Sequence, residues 1–303
     1  MEQQHENYYV PEQSRIPIWA TIGLFLTVFG LGSWINQQEN GFLVFIVGFG
    51  LLCFVLYQWF STVIGENIKG LNSAQLKRSY VWGMGWFIFS EVMFFAAFFG
   101  ALFYMRSFAL PWLSEGPTSE LLWQGFEAQW PLMVTPDMAV NGEGAQKFIG
   151  PEENMSSPGV LNWVTWLPFW NTVILLSSSV TVHIAHTALK NDNKKGFNLW
   201  LGITVVLGIA FLILQAEEYV HAYHELGLTL ETGAYGTTFF LLTGFHGLHV
   251  TLGTFMLLVQ WLRSMMKNHF HHDDCFGFEA SSWYWHFVDV VWVGLFLCVY
   301  VFG

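Results

Sequence analysis

Two carboxyl groups, Glu91 and Asp289, and a set of histidines are the side chains in this sequence that could do chemistry inside long apolar segments. Glu91 is the only charged residue between Arg78 and Arg106, within the run SEVMFFAAFFGALFY. Glu91 lies near the middle of this apolar segment. Burying a carboxylate there costs several kcal/mol unless it is paired or protonated, so Glu91 is by default a candidate functional site. The plainer interpretation is a protonated glutamic acid that hydrogen-bonds a neighbouring helix. The sequence does not separate the two.

Histidines recur in pairs three residues apart within the apolar segments, and a further one precedes an aspartate by three. They are His183 and His186, His246 and His249, and His286 before Asp289. Imidazole is a common ligand of haem and copper. Two residues at that spacing share a helix face, whereas an axial haem pair needs rings on facing helices, and neutral His also hydrogen-bonds helices together. We therefore expect His246, His249, His286 and Asp289 to be intramembrane polar residues, with no metal site.

The elements that carry these residues are long and apolar. Hydrophobic residues make up 53% of the 303 residues and charged residues 11%. The few charges leave seven segments that can each hold the ~20 residues needed to cross a bilayer, five of them free of charge and two with a single acidic residue, Glu91 or Asp289. Continuous apolar runs favour helices over the alternating strands of a membrane barrel. The sequence predicts an all-α membrane protein with seven transmembrane helices, near 16–36, 41–63, 80–104, 166–189, 197–217, 236–262 and 280–302.

The basic residues predict the orientation of these helices. Nine of the eleven, all except Arg106 and Lys147, fall on one side if the N-terminus is inside. The positive-inside rule then gives a cytoplasmic or matrix N-terminus and an external C-terminus, and we expect no removed signal peptide. The predicted organisation is a two-helix arm over 1–65, then a five-helix bundle over 66–303 interrupted by an outer loop at about 107–165.

Four segments carry a specific resemblance to a known family. They are SEVMFFAAFFGALFY, LQAEEYVHAY, YGTTFFLLTGFHGLH and FGFEASSWYWHFVDVVW. Together they resemble subunit III of the haem–copper cytochrome c oxidases, over roughly 55–105 and 166–303. The resemblance implies seven helices, with the first two splayed from the other five by a lipid-filled cleft. The presence of the first two helices favours the cytochrome c branch over the quinol-oxidase branch.

The resemblance also implies a function. The chain would be a non-catalytic core subunit of a proton-pumping oxidase that reduces oxygen to water, with cytochrome c as the donor to the complex. Haem and copper would reside in subunits I and II, and the chain would carry no cofactor except bound phospholipid. It would stabilise subunit I and support proton uptake, and no nucleic-acid partner is expected. The long outer loop favours a bacterial protein of the inner (plasma) membrane, with its C-terminus in the periplasm.

The family's functional residues carry over in part. Glu91 matches a buried glutamate that reacts with carbodiimides, which implies a protonated carboxyl. The lipid-binding positions matched are Trp59, Glu66, Arg263, Lys267 and His269. Basic side chains beside an interfacial Trp suit a phosphate head group. The sequence departs from the family pattern at Ser61 and Gly65, where arginines are usual, and at Thr187 and Cys275, where histidines are usual.

Two other functions stay open on the residues alone. The first is an independent proton or solute transporter that uses Glu91, and the second is a membrane haem protein that uses His246 or His249. The transporter hypothesis predicts transport by the isolated chain. The haem-protein hypothesis predicts that the isolated chain retains visible absorbance.

Overall fold

The computed structural model describes residues 10, 12–144, 150–151, 166–267, 270 and 275–302. Within them, seven helical stretches are long and apolar enough to cross a membrane, which confirms the predicted all-α membrane fold, and those residues form no strand. The helices are α1 Ile16–Ile35, α2 Gly41–Ile68, α3 Ala74–Tyr104, α4 Leu110–Glu115, α5 Ser119–Leu122, α6 Pro136–Asn141, α7 Leu167–Lys190, α8 Lys194–Glu225, α9 Gly233–Lys267 and α10 Phe276–Leu295.

Several helices run beyond the apolar segments that the sequence marked. α8 continues to Glu225, past the predicted end at residue 217, and His221 Nδ1 lies 2.9 Å from Glu225 Oε2 one turn on. Hydropathy locates the part of a helix that crosses hydrocarbon, whereas the helix itself continues wherever polar residues can still form its hydrogen bonds. Helix ends instead follow local signals: the Asn193 side chain caps α8 by accepting from Gly196 N at 3.0 Å.

The start of the predicted outer loop is helical. After Tyr104 the chain makes a π turn over Met105–Ala109 and continues as α4 to Glu115. On the π turn, the Arg106 guanidinium donates to the backbone carbonyl of Phe302, just after the last helix. The loop expected from residue 107 therefore begins at Gly116, where the backbone becomes extended. Parts of the predicted loop, 145–149 and 152–165, lie outside the described residues.

The chain divides into two compact units, Met1–Gly83 and Met84–Gly303. In the first unit α1 and α2 form an antiparallel hairpin joined by a tight turn in which Gln37 and Asn40 have positive φ. Glycines let the two backbones approach closely: a Cβ at Gly48 would meet the backbone nitrogen of Thr27. Small residues at helix contacts are the usual way to pack helices in lipid, where van der Waals contact is the main attraction.

The second unit places α10 among the other long helices. Trp285 and Trp292 of α10 are fully buried, and their indole N–H groups donate to Ser178 and Thr172 of α7, each at 2.9 Å. Gly253 of α9 makes room for the Trp285 ring, since a Cβ there would lie 2.9 Å from the ring carbon Cε3. These contacts fix the register of α10 against its neighbours and so position the polar side chains described next.

Candidate functional site

Glu91 on α3 and His249 on α9 form a hydrogen-bonded pair inside the second unit. His249 Nε2 lies 3.0 Å from Glu91 Oε2, and the two side chains are 10% and 23% exposed. The other ring nitrogen, Nδ1, lies 2.6 Å from the backbone carbonyl oxygen of Phe245, one turn earlier on α9. Both nitrogens of His249 therefore have partners within the protein.

The carbonyl of Phe245 limits the Glu91–His249 pair to two arrangements of its protons. A carbonyl oxygen only accepts, so Nδ1 of His249 must carry a proton and donate it. If the ring is neutral, Nε2 is an acceptor and Glu91 must be the protonated donor. If the ring is an imidazolium, Nε2 donates to a Glu91 carboxylate. In either arrangement one proton lies between the two groups and the pair has no net charge, which removes most of the cost of a lone buried carboxylate.

Aromatic rings surround the pair. The centroid of the His249 ring lies 4.9 Å from that of Phe95, and the Tyr284 ring is stacked 6.3 Å away at an interplanar angle of 17°. Phe94 lies 5.9 Å away on the α3 side. Such rings exclude water from the imidazole faces, and in this apolar surrounding the hydrogen bond between the pair is stronger than it would be in water.

His246 lies one turn from His249 and is fully buried, but it makes different contacts. Neither ring nitrogen has a hydrogen-bond partner among the described residues. Its ring lies against those of Trp292, Phe211 and Phe95, with centroid distances of 5.1, 5.8 and 6.4 Å. The fully buried imidazole is therefore packed among aromatic side chains.

His286 and Asp289 lie on α10 next to Ser179 of α7. His286 Nδ1 is 2.9 Å from Ser179 Oγ and 3.6 Å from Asp289 Oδ2. The Asp289 side chain is 5% exposed and that of His286 is 39% exposed. The same ring nitrogen faces both oxygens, so this is not a relay from acid to base to nucleophile; it is a polar contact between two helices.

Four of the five lipid-binding residues expected from the resemblance lie on helices, Trp59 and Glu66 on α2 and Arg263 and Lys267 on α9. Trp59 of α2 is 50% exposed, and Glu66 follows two turns later on the same helix. Arg263 of α9 lies over the Phe270 ring at 4.8 Å from its centroid, and its guanidinium donates to Gln260 Oε1 at 2.9 Å. His269 and the side chain of Lys267 lie outside the described residues.

Two polar contacts were not predicted from the sequence. Glu218 is buried on α8, where Gln215 Nε2 donates to its Oε2 at 3.3 Å. Glu279 at the start of α10 lies 3.1 Å from His186 Nε2 and 3.3 Å from Lys190 Nζ, both on α7. Each glutamate stands within a quoted family segment, LQAEEYVHAY or FGFEASSWYWHFVDVVW. The segment LQAEEYVHAY therefore offered a signal for Glu218, but the predicted span 197–217 ended one residue before it.

A metal site would need several ligand side chains close together. Within the described ranges, no three His, Cys, Asp or Glu side chains come together as a set of metal ligands. Several of the described polar side chains instead contact each other in pairs across helices, as Glu91 with His249 and Glu279 with His186 do. Seven apolar helices and such interhelical pairs define a multi-pass helical membrane protein.

Comparison with known proteins then gives the family. The family model described as cytochrome c oxidase subunit III matches residues 5–120 and 159–303. Proteins named cytochrome c oxidase subunit 3 from Drosophila melanogaster and Latimeria chalumnae are each 37% identical to the chain. They align over 99% of this chain and 98% of the fly protein, and over 100% of both chains for Latimeria. The chain belongs to the cytochrome c oxidase subunit III family, so it is a subunit of an oxidase complex.

Replacing Glu91 with glutamine is expected to leave the stability of the complex within about 1 kcal/mol of the parent and to preserve most electron transfer. The amide can donate to neutral His249 Nε2, so the pair stays bonded and uncharged. The matched variant Glu91→Leu leaves Nε2 buried without a donor, and we expect it to cost about 1–3 kcal/mol. Thermal unfolding followed by circular dichroism, together with oxygen consumption, measures both. Complete loss of oxidase activity in Glu91→Gln would contradict a structural role for the pair.

Proposed function

We propose that this chain is the non-catalytic subunit III of a proton-pumping cytochrome c oxidase. It stabilises subunit I, supports proton uptake at the inner surface and holds lipid, while haem and copper reside in subunits I and II. Cytochrome c donates electrons to the complex, and oxygen is reduced to water. The observation that carries the proposal is the family match on both sides of the outer segment, and the closed Glu91–His249 pair is consistent with it.

The geometry of Glu91 favours this role over that of a transporter. A transported proton or solute must reach its carboxylate from each side of the membrane in turn. Here Glu91 is bonded to His249, and the imidazole is bonded in turn to the Phe245 carbonyl. The arrangement suits a group that links α3 to α9, and a transporter would have to break it in every cycle.

We propose as lipid-binding residues Trp59 and Glu66 in the first unit and, separately, Arg263, Lys267 and His269 in the second. Exposed Trp59 suits the membrane interface, and a guanidinium suits a phosphate head group of the cytoplasmic leaflet. The residues that stand in place of the usual arginines, Ser61 and Gly65, leave one head group held by fewer charges.

We further propose a bacterial plasma membrane as the location, with the N-terminus in the cytoplasm and the C-terminus in the periplasm. The distribution of basic residues supports this orientation. The family model leaves residues 121–158 unmatched, as expected for a longer outer loop. The named relatives are animal proteins, from a fly and a coelacanth, so the bacterial assignment rests on the loop alone.

Deleting the chain is expected to give an oxidase that starts at a normal rate but loses activity during turnover sooner than the complete enzyme. The expected cause is weaker proton uptake by subunit I once its neighbour is missing. Oxygen consumption with reduced cytochrome c, recorded until activity stops, measures the lifetime. Re-adding the purified chain is the control and should restore it. An enzyme of unchanged lifetime would contradict the protective role.

A visible spectrum of the complex, purified through a tag on this chain, separates the remaining alternatives. The complex should show a reduced-minus-oxidised haem signal that stays entirely with the partner subunits once they are stripped off. Signal retained on this chain would contradict the proposal in favour of a haem protein. The absence of any haem signal from the intact preparation would instead favour the transporter.

A further inference from the structure

Four buried polar side chains gather near the end of the second unit where α8 turns into α9. They are Asn171 of α7, Gln215 and Glu218 of α8, and Tyr300, which follows α10 on the π turn Phe296–Val301. Each is between 0% and 8% exposed. We call these four residues the buried polar layer.

The pairing of α7 with α8 places Asn171 and Gln215 at the same depth. The hydroxyl oxygens of Thr181 and Thr204 lie 2.8 Å apart and align the two antiparallel helices. Asn171 is ten residues from Thr181, and Gln215 is eleven residues from Thr204 toward the same end of the unit. These separations correspond to about 15 Å and about 16.5 Å of helix. Both amides therefore lie at one level in the interior.

Tyr300 brings a third segment of the chain to this level. Its hydroxyl faces Glu218 and Gln215, without the geometry of an ordinary hydrogen bond to either. Gln215 Nε2 donates to Glu218 Oε2 at 3.3 Å, a long contact that uses one of the two amide N–H groups. The rings of Trp166 and Phe239 pack around the phenol, with centroids 5.9 Å and 5.7 Å from its own.

Four hydrogen-bonding atoms of the buried polar layer have no partner among the described residues. They are Oδ1 and Nδ2 of Asn171, Oε1 of Gln215 and the Tyr300 hydroxyl. Burying such atoms without a partner is costly, and proteins commonly satisfy them with an ordered water. Where polar groups face each other beyond direct hydrogen-bond distance, a bridging water is the usual link.

The kinds of atom in this set identify its ligand. Two are carbonyl oxygens that only accept, one is an amide nitrogen that only donates, and the hydroxyl can do both. A cation would bind the oxygens but leave Asn171 Nδ2 unpaired, and an anion would serve the donors alone. Water donates and accepts, so it can satisfy every member of the set.

We propose that Asn171, Gln215 and Tyr300 bind ordered water inside the membrane-spanning part of this chain, next to the Glu218 carboxyl. The water links α7, α8 and the π turn after α10, which make no direct hydrogen bond through these four atoms. One or two molecules suffice, since a buried water typically makes about three hydrogen bonds. This inference concerns the interior of the chain and goes beyond the proposed function.

A density map of the intact complex, at a resolution that shows ordered water, tests the site directly. We expect one or two waters within hydrogen-bond distance of Asn171, Gln215 and Tyr300. A second map is recorded with rubidium, which scatters more strongly, in place of the sodium and potassium of the buffer. Stronger density in rubidium would identify a cation and overturn the proposal. A side chain of this chain at the site, or no density there while other buried waters are visible, would also overturn it.

Asn171→Leu tests the site by the sign of its effect on the unfolding temperature of the complex. If Asn171 binds water, leucine removes two of the partners of that water and leaves Gln215 and Tyr300 less well satisfied, so the temperature should fall by several degrees. If the amide is simply unpaired, leucine removes a cost and the temperature should rise. Thr254→Val is the matched control. The Thr254 hydroxyl is also buried without a partner among the described residues, but it lies alone beside Gly208, and a water needs several polar partners.

The control variant should therefore leave the unfolding temperature unchanged or raise it. A similar rise in Asn171→Leu would overturn the proposal. If Asn171→Leu does not assemble, Gln215→Met takes its place, because it keeps the length of the side chain and should also lower the temperature. Haem co-purification is unaffected by either result, so the proposed function is tested separately.

Discussion

Replacing Trp285 with alanine is expected to lower the free energy of unfolding of the second unit by about 3–5 kcal/mol, the range typical of large-to-small changes in a packed core. The indole is fully buried and fills the space left by Gly208 of α8 and Gly253 of α9, where an added Cβ would lie 2.9 Å from its ring carbons. It also donates to Ser178 of α7. Alanine would therefore remove contacts with three helices at once.

Thermal unfolding of the purified complex, followed by far-ultraviolet circular dichroism, measures this loss. Trp86→Ala is the control, because Trp86 is 65% exposed and its removal should cost less than about 1 kcal/mol. If Trp285→Ala prevents assembly, Ser178→Ala supplies the milder test. It removes the acceptor of the indole N–H, which should cost about 1–3 kcal/mol. Equal stability of the Trp285 and Trp86 variants would show that α10 is not held in this way.

Gly48→Ala is expected to destabilise the α1–α2 hairpin by about 1–3 kcal/mol, the usual effect of overpacking. The new methyl group would meet the backbone of Thr27 and Leu26, which cannot rotate away as a flexible side chain could. The two helices would have to separate, and van der Waals contact is what holds such helices together in lipid.

Gly50→Ala, two residues along the same helix, is the matched control. An added Cβ there has no atom within 4 Å, so the helix should gain up to about 1 kcal/mol from the lower backbone entropy of alanine in the unfolded state. The two alanines are thus expected to shift the unfolding temperature in opposite directions. A shift of the same sign and size in both variants would contradict close packing at Gly48.

The seven helices could be predicted from the sequence because the signal is local. An apolar stretch long enough to cross a bilayer can be recognised from a window of about 20 residues, and lipid leaves the backbone few alternatives to a helix. The ends of the helices were less predictable. α8 runs past its apolar part into Glu225 because hydropathy reports the surroundings of a helix, whereas its length depends on capping and on contacts one turn apart.

The candidate site was predictable residue by residue but not as a set of contacts. Glu91 and His249 each stood out as polar groups in apolar segments, and the sequence allowed Glu91 a partner on a neighbouring helix. That the partner is His249 depends on the rotation and the depth of α3 and α9, which are 158 residues apart at this contact. Glu279 and His186 illustrate the same limit, since only the packing of α7 against α10 brings them together.

The shared proton of Glu91 and His249 makes this site nearly insensitive to the membrane voltage. A whole charge that crosses the bilayer gains about 2.3 kcal/mol per 100 mV. A proton that moves between two atoms 3.0 Å apart travels only about 1 Å of a ~30 Å core, so at most about 0.1 kcal/mol per 100 mV acts on it. The link between α3 and α9 should therefore hold equally well in an energised and a de-energised membrane.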